Sequence, residues 1–328
     1  MMRRQRGVAL LVVLLMLALM AALAAAMAER SGRSLLRAEG QLGRQQAKWY
    51  ALGAESLAGN ILLRDALDSP QRTHLAQFWA QQGRQFPVDG GEIQGRIRDG
   101  RACLNLNAIN QSADNNGTAL TTPYPAQVLQ YLLINLGEED VRAQQVTGAV
   151  RDWIDADGYP AANGAEDASY ASLSPPYRPA NQPMSDISEL RTVYGVDADL
   201  YQRLLPYVCV LPQETLAINI NTLSGEQAPL LAALLLNQLD SGQAAALLSL
   251  RPRTGWESLD ELWRADLLRD IDNATARQFL TVKSDVFFVD LHVRVGDSDI
   301  HQRSLLRLND RKITVLQRKY GWDRAEEP

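Results

Sequence analysis

An uninterrupted apolar segment near the start of the chain places the strongest limit on its fold. Residues 8–28 contain no charged residue, no proline and no glycine. As a helix these 21 residues rise about 30 Å, which matches the hydrocarbon core of a bilayer. Arg3, Arg4 and Arg6 precede the segment. Their positive charge predicts that residues 1–7 face the cytoplasm and that the chain after residue 28 lies on the opposite side of the membrane.

The junction between the basic residues and the apolar segment is open to three interpretations. A secretory signal peptide has a shorter apolar region followed by small residues at a cleavage site, which the alanines at 24–26 imitate. A plain membrane anchor is the second interpretation. In the third, a peptidase cuts after Gly7, so that the mature chain begins at Val8 and keeps its whole anchor. The order of arginines, one glycine and an immediate apolar helix favours the third.

The next hundred residues predict a long helix followed by strands. A helical stripe of apolar residues continues from residue 29 to Arg64, and Pro70 ends the pattern. A second amphipathic helix is expected at residues 75–82. Residues 92–98 then alternate in polarity, and the Asp99–Gly100 pair is typical of a hairpin turn, so that residues 101–107 are expected to form the partner strand.

The rest of the chain predicts a helical block and then an antiparallel meander. Residues 108–212 show helical periodicity interrupted by a polar, proline-rich loop, which indicates an inserted all-helical subdomain. Further helical segments follow. Three alternating segments, 286–295, 301–308 and 313–317, then predict strands. The fold class expected from the residues is therefore α+β.

Cysteine usage leaves one question open. Cys103 and Cys209 are too few for a disulfide scaffold and too far apart in sequence for a CxxC metal site. In an exported chain they form a disulfide or remain as two buried thiols, and both states stay possible because sequence does not give the distance between them.

An acidic loop carries the clearest chemistry. Five carboxylates fall within 16 residues: Asp152, Asp155, Asp157, Glu166 and Asp167. Such clusters suit calcium, a hard cation that takes about six to eight oxygen ligands. The window 155–166 has Asp at positions 1 and 3 and Glu at position 12, as an EF-hand loop does, but Tyr159 and Pro160 stand at positions 5 and 6, where an oxygen ligand and a glycine are required.

These residues predict an irregular calcium loop with ligands among Asp155, Asp157, Glu166 and Asp167. One alternative is a solvated acidic turn in which aspartates cap helices. The other is catalysis by paired carboxylates, which is disfavoured because no histidine or nucleophile lies nearby in the sequence.

Several motifs together resemble one family. The basic leader with Gly7 precedes an anchor that has Val12 at the fifth mature position, where pilins usually carry glutamate. Leu-Asn-Leu-Asn at 104–107, the acidic loop, Ser-Glu-Leu-Arg at 188–191 and Ile-Asn-Ile-Asn-Thr at 218–222 follow. In this order the motifs resemble the K-type minor pseudopilins of type II secretion systems, over nearly the whole chain.

The resemblance implies a fold and a domain order. The fold is pilin-like, with a long N-terminal transmembrane helix packed on an antiparallel sheet and a large inserted all-helical domain. The boundaries expected are a leader at 1–7, the anchor at 8–28, the pilin-like helix and first strands at 29–107, the inserted helical domain at 108–212, and a helix–hairpin–helix-like segment with the last strands at 213–328.

The resemblance also implies partners and a location. A prepilin peptidase would cut after Gly7 and methylate the new amine of Val8. The protein would be a single-pass protein of the bacterial inner membrane with most of the chain in the periplasm, calcium in its helical domain, and no enzymatic activity. It would form a tip complex with the I-type and J-type minor pseudopilins. Val12 agrees with a subunit that begins or caps a filament.

A nucleic-acid module is the main rival from another class. Residues 188–196 and 220–234 resemble the helix–hairpin–helix units of DNA-uptake proteins, which bind phosphate through backbone amides and basic side chains. Here the turn at 194–199 contains Asp197 and Asp199 and would repel phosphate, and the chain carries a net charge of −5. No GxSxG, HExxH or phosphate-binding loop supports an enzyme.

Overall fold

The computed structural model describes residues 6–81, 84–111, 122–272, 274–309 and 312–321. The helices are α1 (Arg6–Asp68), α2 (Tyr124–Asn135), α3 (Asp140–Ile154), α4 (Asp167–Ala171), α5 (Ala198–Leu204), α6 (Ala228–Leu234), α7 (Ser241–Ser249) and α8 (Leu259–Leu262). The strands are β1 (Arg84–Val88), β2 (Gly91–Asp99), β3 (Leu104–Asn105), β4 (Val208–Cys209), β5 (Ile218–Asn219), β6 (Leu280–Thr281), β7 (Val286–Val295), β8 (Ser298–Asn309) and β9 (Lys312–Tyr320).

Helix α1 is a single 63-residue rod with two environments. The part from Val8 onwards is long and apolar enough to cross a membrane, and its apolar window is wholly exposed in the isolated chain. The later part packs on the sheet through Ala47, Ala51, Ala58 and Leu62, which are all buried. Alanines at three of these positions let the helix backbone approach the strands closely.

The sheet has the strand order β1-β2-β7-β8-β9, and every neighbouring pair is antiparallel. Side chains alternate along a strand, so that every second residue of β7 faces α1. Phe287, Val289 and Leu291 do so, and they form an apolar core with Ala58 and Leu62 of that helix. This unit, hereafter the sheet unit, consists of α1 and the five strands, and it is the pilin-like part of the predicted fold.

The expected hairpin after Asp99 does not form, which corrects one prediction. Strand β2 pairs with β1 and β7, whereas Leu104 and Asn105 pair in parallel with β4. The buried Asp99 carboxylate accepts hydrogen bonds from Arg101 N, Thr222 Oγ1 and Ser284 Oγ, which turns the chain out of the sheet. The second amphipathic helix is also reduced to a 3-10 turn at Phe78–Ala80, and residue 82 lies outside the described part of the chain.

Between β2 and β7 the chain builds a separate helical unit, hereafter the insert. One cluster of buried apolar residues has members from Leu104 to Leu280, whereas Cys209 and Leu211 pack with Val286 and Leu305 of the sheet unit. The insert therefore extends beyond the boundary at residue 212 that the sequence suggested, and the segment 213–285 packs with it rather than with the sheet. Cys103, at the start of the insert, and Cys209, in its middle, form a disulfide next to the paired strands β3 and β4.

The insert lies at one end of the sheet unit. Val293 and Val295 pack with Ala47 and Ala51, nearer the apolar start of α1. The opposite end of β7, at Val286, receives the chain from the insert, and Thr73 N just beyond the end of α1 donates to Val282 O at 2.9 Å. The insert thus occupies the end of the molecule that is farthest from residues 8–28.

Candidate functional site

The acidic loop connects α3 to α4 inside the insert. Asp155 is the C-cap of α3, and Glu166 is the N-cap of α4. Two glycines bring the loop close to the helix. A Cβ on Gly148 would lie 2.8 Å from Gly164 N, and a Cβ on Gly164 would overlap Asp152 Oδ2. Neither position has room for a larger side chain, so the loop is held against α3.

Three of the four predicted ligands meet in this loop. Asp155, Asp157 and Glu166 each offer a carboxylate oxygen, and these atoms all lie within 4.8 Å of one another. Asp167 does not join them. Its side chain is 63% exposed and lies 3.9 Å from the Arg178 guanidinium, because it forms the first turn of α4 and points outward.

The cluster is short of hydrogen-bond donors. In the described part of the chain, both Glu166 carboxylate oxygens, Asp155 Oδ1 and Asn181 Oδ1 are buried without a hydrogen-bond partner. Buried polar atoms normally have partners, and an unpaired buried charge is costly. Four unsatisfied oxygens, three from the loop and one from Asn181, therefore point to a group that is not part of the protein.

Two residues that the sequence did not single out as ligands complete the arrangement. Asn181 donates from Nδ2 to Asp157 O at 2.8 Å, which leaves its Oδ1 free to bind an ion, and its backbone has a φ of 46°. Asp152 is fully buried and its Oδ1 accepts from Ala161 N at 2.9 Å. This hydrogen bond ties the loop at Ala161 to helix α3, which carries Asp152.

Burial, together with neighbouring charges, raises the pKa values of Asp155 and Glu166. Burial, then Asp157 and then Asp152, raise the pKa of Asp155 to about 6. Burial, followed by Asp152 and Asp155, raises the pKa of Glu166. Without a cation the folded state therefore disfavours the charged forms of these carboxylates. An all-oxygen, negatively charged set of this kind fits a hard divalent cation such as calcium.

The processing site lies at the start of α1. Helix α1 begins at Arg6, so that Gly7 and Val8 are its next residues, while residues 1–5 lie outside the described part of the chain. Val8 is 67% exposed. The helix thus runs without interruption from the expected cleavage point through the anchor.

An apolar surface extends along α1 beyond the anchor. Trp49 is 72% exposed and Leu57 is 46% exposed, and both line a groove between α1, the 3-10 turn and strands β1 and β2. Phe78 and Phe86 lie at the same groove and are also exposed. Large apolar patches of this kind are typical of protein interfaces.

The turn that resembled a DNA-binding hairpin is occupied by ion pairs. Gly195 has a φ of 83°, as a hairpin turn requires. However, Asp197 Oδ2 pairs with Arg142 at 2.6 Å, and Asp199 pairs with Arg203 at 2.8 Å. Arg142 and Arg203 thus form ion pairs with carboxylates of the turn. The helix–hairpin–helix interpretation requires basic side chains at this position to contact phosphate instead.

Comparison with known families gives one result. The family described as "Type II secretion system (T2SS), protein K" matches the chain in two segments, residues 102–213 and 218–283. Together these segments coincide with the insert as its core defines it.

Relatives match over the full length. The type II secretion system protein K of Pectobacterium carotovorum subsp. carotovorum is 60% identical over 328 residues, covering all of both chains. That of Klebsiella pneumoniae is 53% identical and covers 98% of each chain. A chain in the crystal structure of the GspK-GspI-GspJ complex of enterotoxigenic Escherichia coli is 37% identical, with a TM-score of 0.78, over 88% of this chain and 100% of that one.

Proposed function

The chain belongs to the protein K family of type II secretion systems, whose members are minor pseudopilins, and from that premise we propose that it caps the tip of a periplasmic pseudopilus. In that position it would support the initiation of the pseudopilus and protein export across the outer membrane. The role is structural and requires no catalytic residue.

The position of the insert is the observation that carries this proposal. The insert is built on the end of the sheet unit that is farthest from the anchor. In a filament that grows from the membrane, another subunit stacked beyond this one would meet the insert. A subunit of this shape therefore fits the end of a filament and not its shaft.

Val12 supports the same position. A carboxylate in the membrane is costly unless it is paired, and pilins usually carry one at this point of the anchor to pair with the amine of a neighbouring subunit. With Val12 this chain has no such group to offer to a subunit above it.

The partners proposed are the I-type and J-type minor pseudopilins. The solved complex with the similar fold contains GspI and GspJ together with GspK. We assign their docking to the exposed face of α1 after residue 28 and to the groove at Trp49 and Leu57, because this surface is apolar and continuous with the anchor.

The proposed location is the inner membrane, with a single span and the bulk of the chain in the periplasm. Prepilin peptidase would cut after Gly7 and methylate Val8. The disulfide between Cys103 and Cys209 supports a periplasmic insert, since disulfides persist in oxidising compartments.

Calcium is proposed as the ion of the acidic loop. Asp155, Asp157 and Glu166 would hold it with carboxylate oxygens, and Asn181 Oδ1 is placed to add an amide oxygen. The bound ion would supply the positive charge that the loop lacks and would fix the connection between α3 and α4.

The processing step has a direct test in cells that contain the peptidase. Gly7→Val should block cleavage, so that mass spectrometry finds the leader still attached, and export should be lost. Gly225→Val is the matched control, since this glycine lies in the insert, away from α1, and nothing lies within 4 Å of a Cβ built there. Normal export by a chain with an uncut leader would overturn the processing proposal.

The partner surface is tested by co-purification of the full chain with the I-type and J-type proteins. Leu57→Asp should abolish co-purification because it places a charge in the apolar groove. Leu250→Asp is the control: this leucine is 63% exposed but lies in the insert, away from α1. Equal loss of the partners with both variants would contradict the assignment of the surface.

A further inference from the structure

A second cluster of ligand-type side chains lies on the sheet unit, in the hairpin of β7 and β8. The chain contains three histidines, and two of them, His292 and His301, stand directly opposite each other in the strand register. Asp299 is two residues before His301, so that alternation along β8 brings it to the same face. The face opposite α1 thus presents two imidazoles and one carboxylate side by side.

The distances between the ligand atoms suit a metal ion. Asp299 Oδ1 lies 2.8 Å from His292 Nε2 and 3.4 Å from His301 Nε2, and one ligand atom from each residue lies within 4.8 Å of the others. A tetrahedral ion with ligands at about 2.0–2.2 Å separates those ligands by roughly 3.3 Å. Side-chain rotations that tilt the two stacked imidazole planes toward each other would bring the three ligand atoms onto one ion.

The side chains are held in place but remain accessible. The two imidazole rings stack with centroids 4.1 Å apart and planes 12° apart. Side-chain exposure is 29% for His292, 27% for His301 and 50% for Asp299. The strand ladder fixes all three backbones, and His301 O also accepts from Gly321 N at 3.0 Å. An ion could enter from solvent without local unfolding.

The two imidazoles and one carboxylate of this cluster favour a different kind of ion from the all-oxygen acidic loop. Imidazole nitrogen suits zinc and other first-row transition metals, whereas calcium prefers oxygen alone. Three protein ligands leave a fourth position for water or another group, as zinc sites often do. We propose that His292, Asp299 and His301 form a zinc site, separate from the calcium loop and from the α1 surface.

The test uses the tag-free full chain in detergent micelles with millimolar calcium present throughout. Calorimetric titration with zinc sulfate should show one zinc ion per chain at this site. The double variant His292→Gln/His301→Gln should weaken the affinity by at least about 100-fold, and Asp299→Asn by about 10-fold. Asp297→Asn, a change at an exposed position in the same turn, should leave the affinity unchanged.

Two further measurements keep the outcome decisive. Cobalt(II) in place of zinc should give the intense visible absorption of a tetrahedral site in the wild-type chain and lose it in the double variant. The double variant should keep the circular dichroism spectrum of the wild-type chain, which shows that it is folded. Absence of zinc binding by the wild-type chain, or equal affinity of the double variant, would show that the three side chains form only a hydrogen-bonded cluster and would overturn the proposal.

Discussion

Buried carboxylates in the sheet unit and in the acidic loop have opposite environments. Asp290 of β7 accepts from Arg98 Nε at 2.9 Å and from Arg303 Nε at 2.5 Å. Burial alone would raise the pKa of Asp290, but the two arginines outweigh it and lower the pKa. Glu55 of α1 likewise receives two hydrogen bonds from Arg318, at 2.7 Å each.

In the loop the same residue types have no such arginines. Among the described residues, no arginine is hydrogen-bonded to Glu166, and only the neutral Asn181 amide acts against the rise in its pKa. The pKa of Asp155 rises to about 6. The sheet unit supplies arginine counter-charges to Asp290 and Glu55, whereas we propose that the acidic loop of the insert takes its counter-charge from a bound calcium ion. The sheet unit should therefore be indifferent to calcium, and the insert should depend on it.

Removal of calcium gives the largest effect expected. At free calcium about 1,000 times the dissociation constant, binding stabilises the folded state by about 4 kcal/mol, which an excess of chelator removes. Hydrogen-exchange mass spectrometry of the full chain in detergent should show faster exchange at residues 148–170 and unchanged exchange at 286–309. Equal change in both segments would break the distinction between the two regions.

Loss of an internal counter-charge in the sheet unit comes next. Arg318→Met leaves Glu55 buried without its cation and should cost about 2–3 kcal/mol, toward the lower end for a buried pair because Arg318 is 40% exposed. Denaturant unfolding should show this loss equally with calcium and with chelator. Arg269→Met is the control, since its pair with Asp266 is exposed and should contribute little.

Neutralising one aspartate in each region should give changes of opposite sign in excess chelator. Asp290→Asn should destabilise the chain by about 2 kcal/mol, because two arginines lose a charged partner. Asp155→Asn should stabilise the calcium-free chain by about 1 kcal/mol, discounted for its partial exposure, and should abolish the gain from calcium. If Asp155→Asn destabilised the calcium-free chain, the loop would not be strained by charge.

The pH dependence in chelator should be the smallest effect, below about 1 kcal/mol. The pKa of Asp155 is raised from 3.8 to about 6 in the folded state, so the folded chain binds a proton that the unfolded chain does not, and stability rises as pH falls from 7 to 5. The pKa of Asp290 is lowered, so its contribution is constant over that range and is lost only as pH falls below about 4.

Thermal unfolding at pH 7 and pH 5 checks this sign. Asp155→Asn should remove part of the rise, and Asp290→Asn should leave the rise intact. A rise that is unaffected by Asp155→Asn would assign the effect to other buried acids, such as Asp99, whose pKa burial also raises.

Sequence reasoning succeeded where a pattern is periodic and local. The long helix and strands β7–β9 follow from helical and alternating polarity, and the structure has them at nearly the expected residues. It failed at residues 101–107, because Asp99 is bonded to Thr222 and Ser284, more than a hundred residues away. Strand β1 was missed since Pro87 disfavours a strand, yet an edge strand tolerates it.

In the acidic loop, too, the local sequence pattern predicted part of the site, and contacts from distant segments were not predicted. The spacing of Asp155, Asp157 and Glu166 follows a known loop pattern, and the structure brings these three together. Asn181 had no signal, because it reaches the loop from a separate segment. Asp167 was included by proximity in sequence alone, which does not show that the start of α4 turns its side chain outward.

The calcium content of the purified full chain tests the central claim most directly. After equilibrium dialysis against calcium in detergent, atomic emission should find one ion more per wild-type chain than per Asp155→Asn/Glu166→Gln chain, while Arg318→Met retains the wild-type number. Equal calcium in the wild-type and the loop variant would contradict the account that the acidic loop of the insert is completed by a calcium ion.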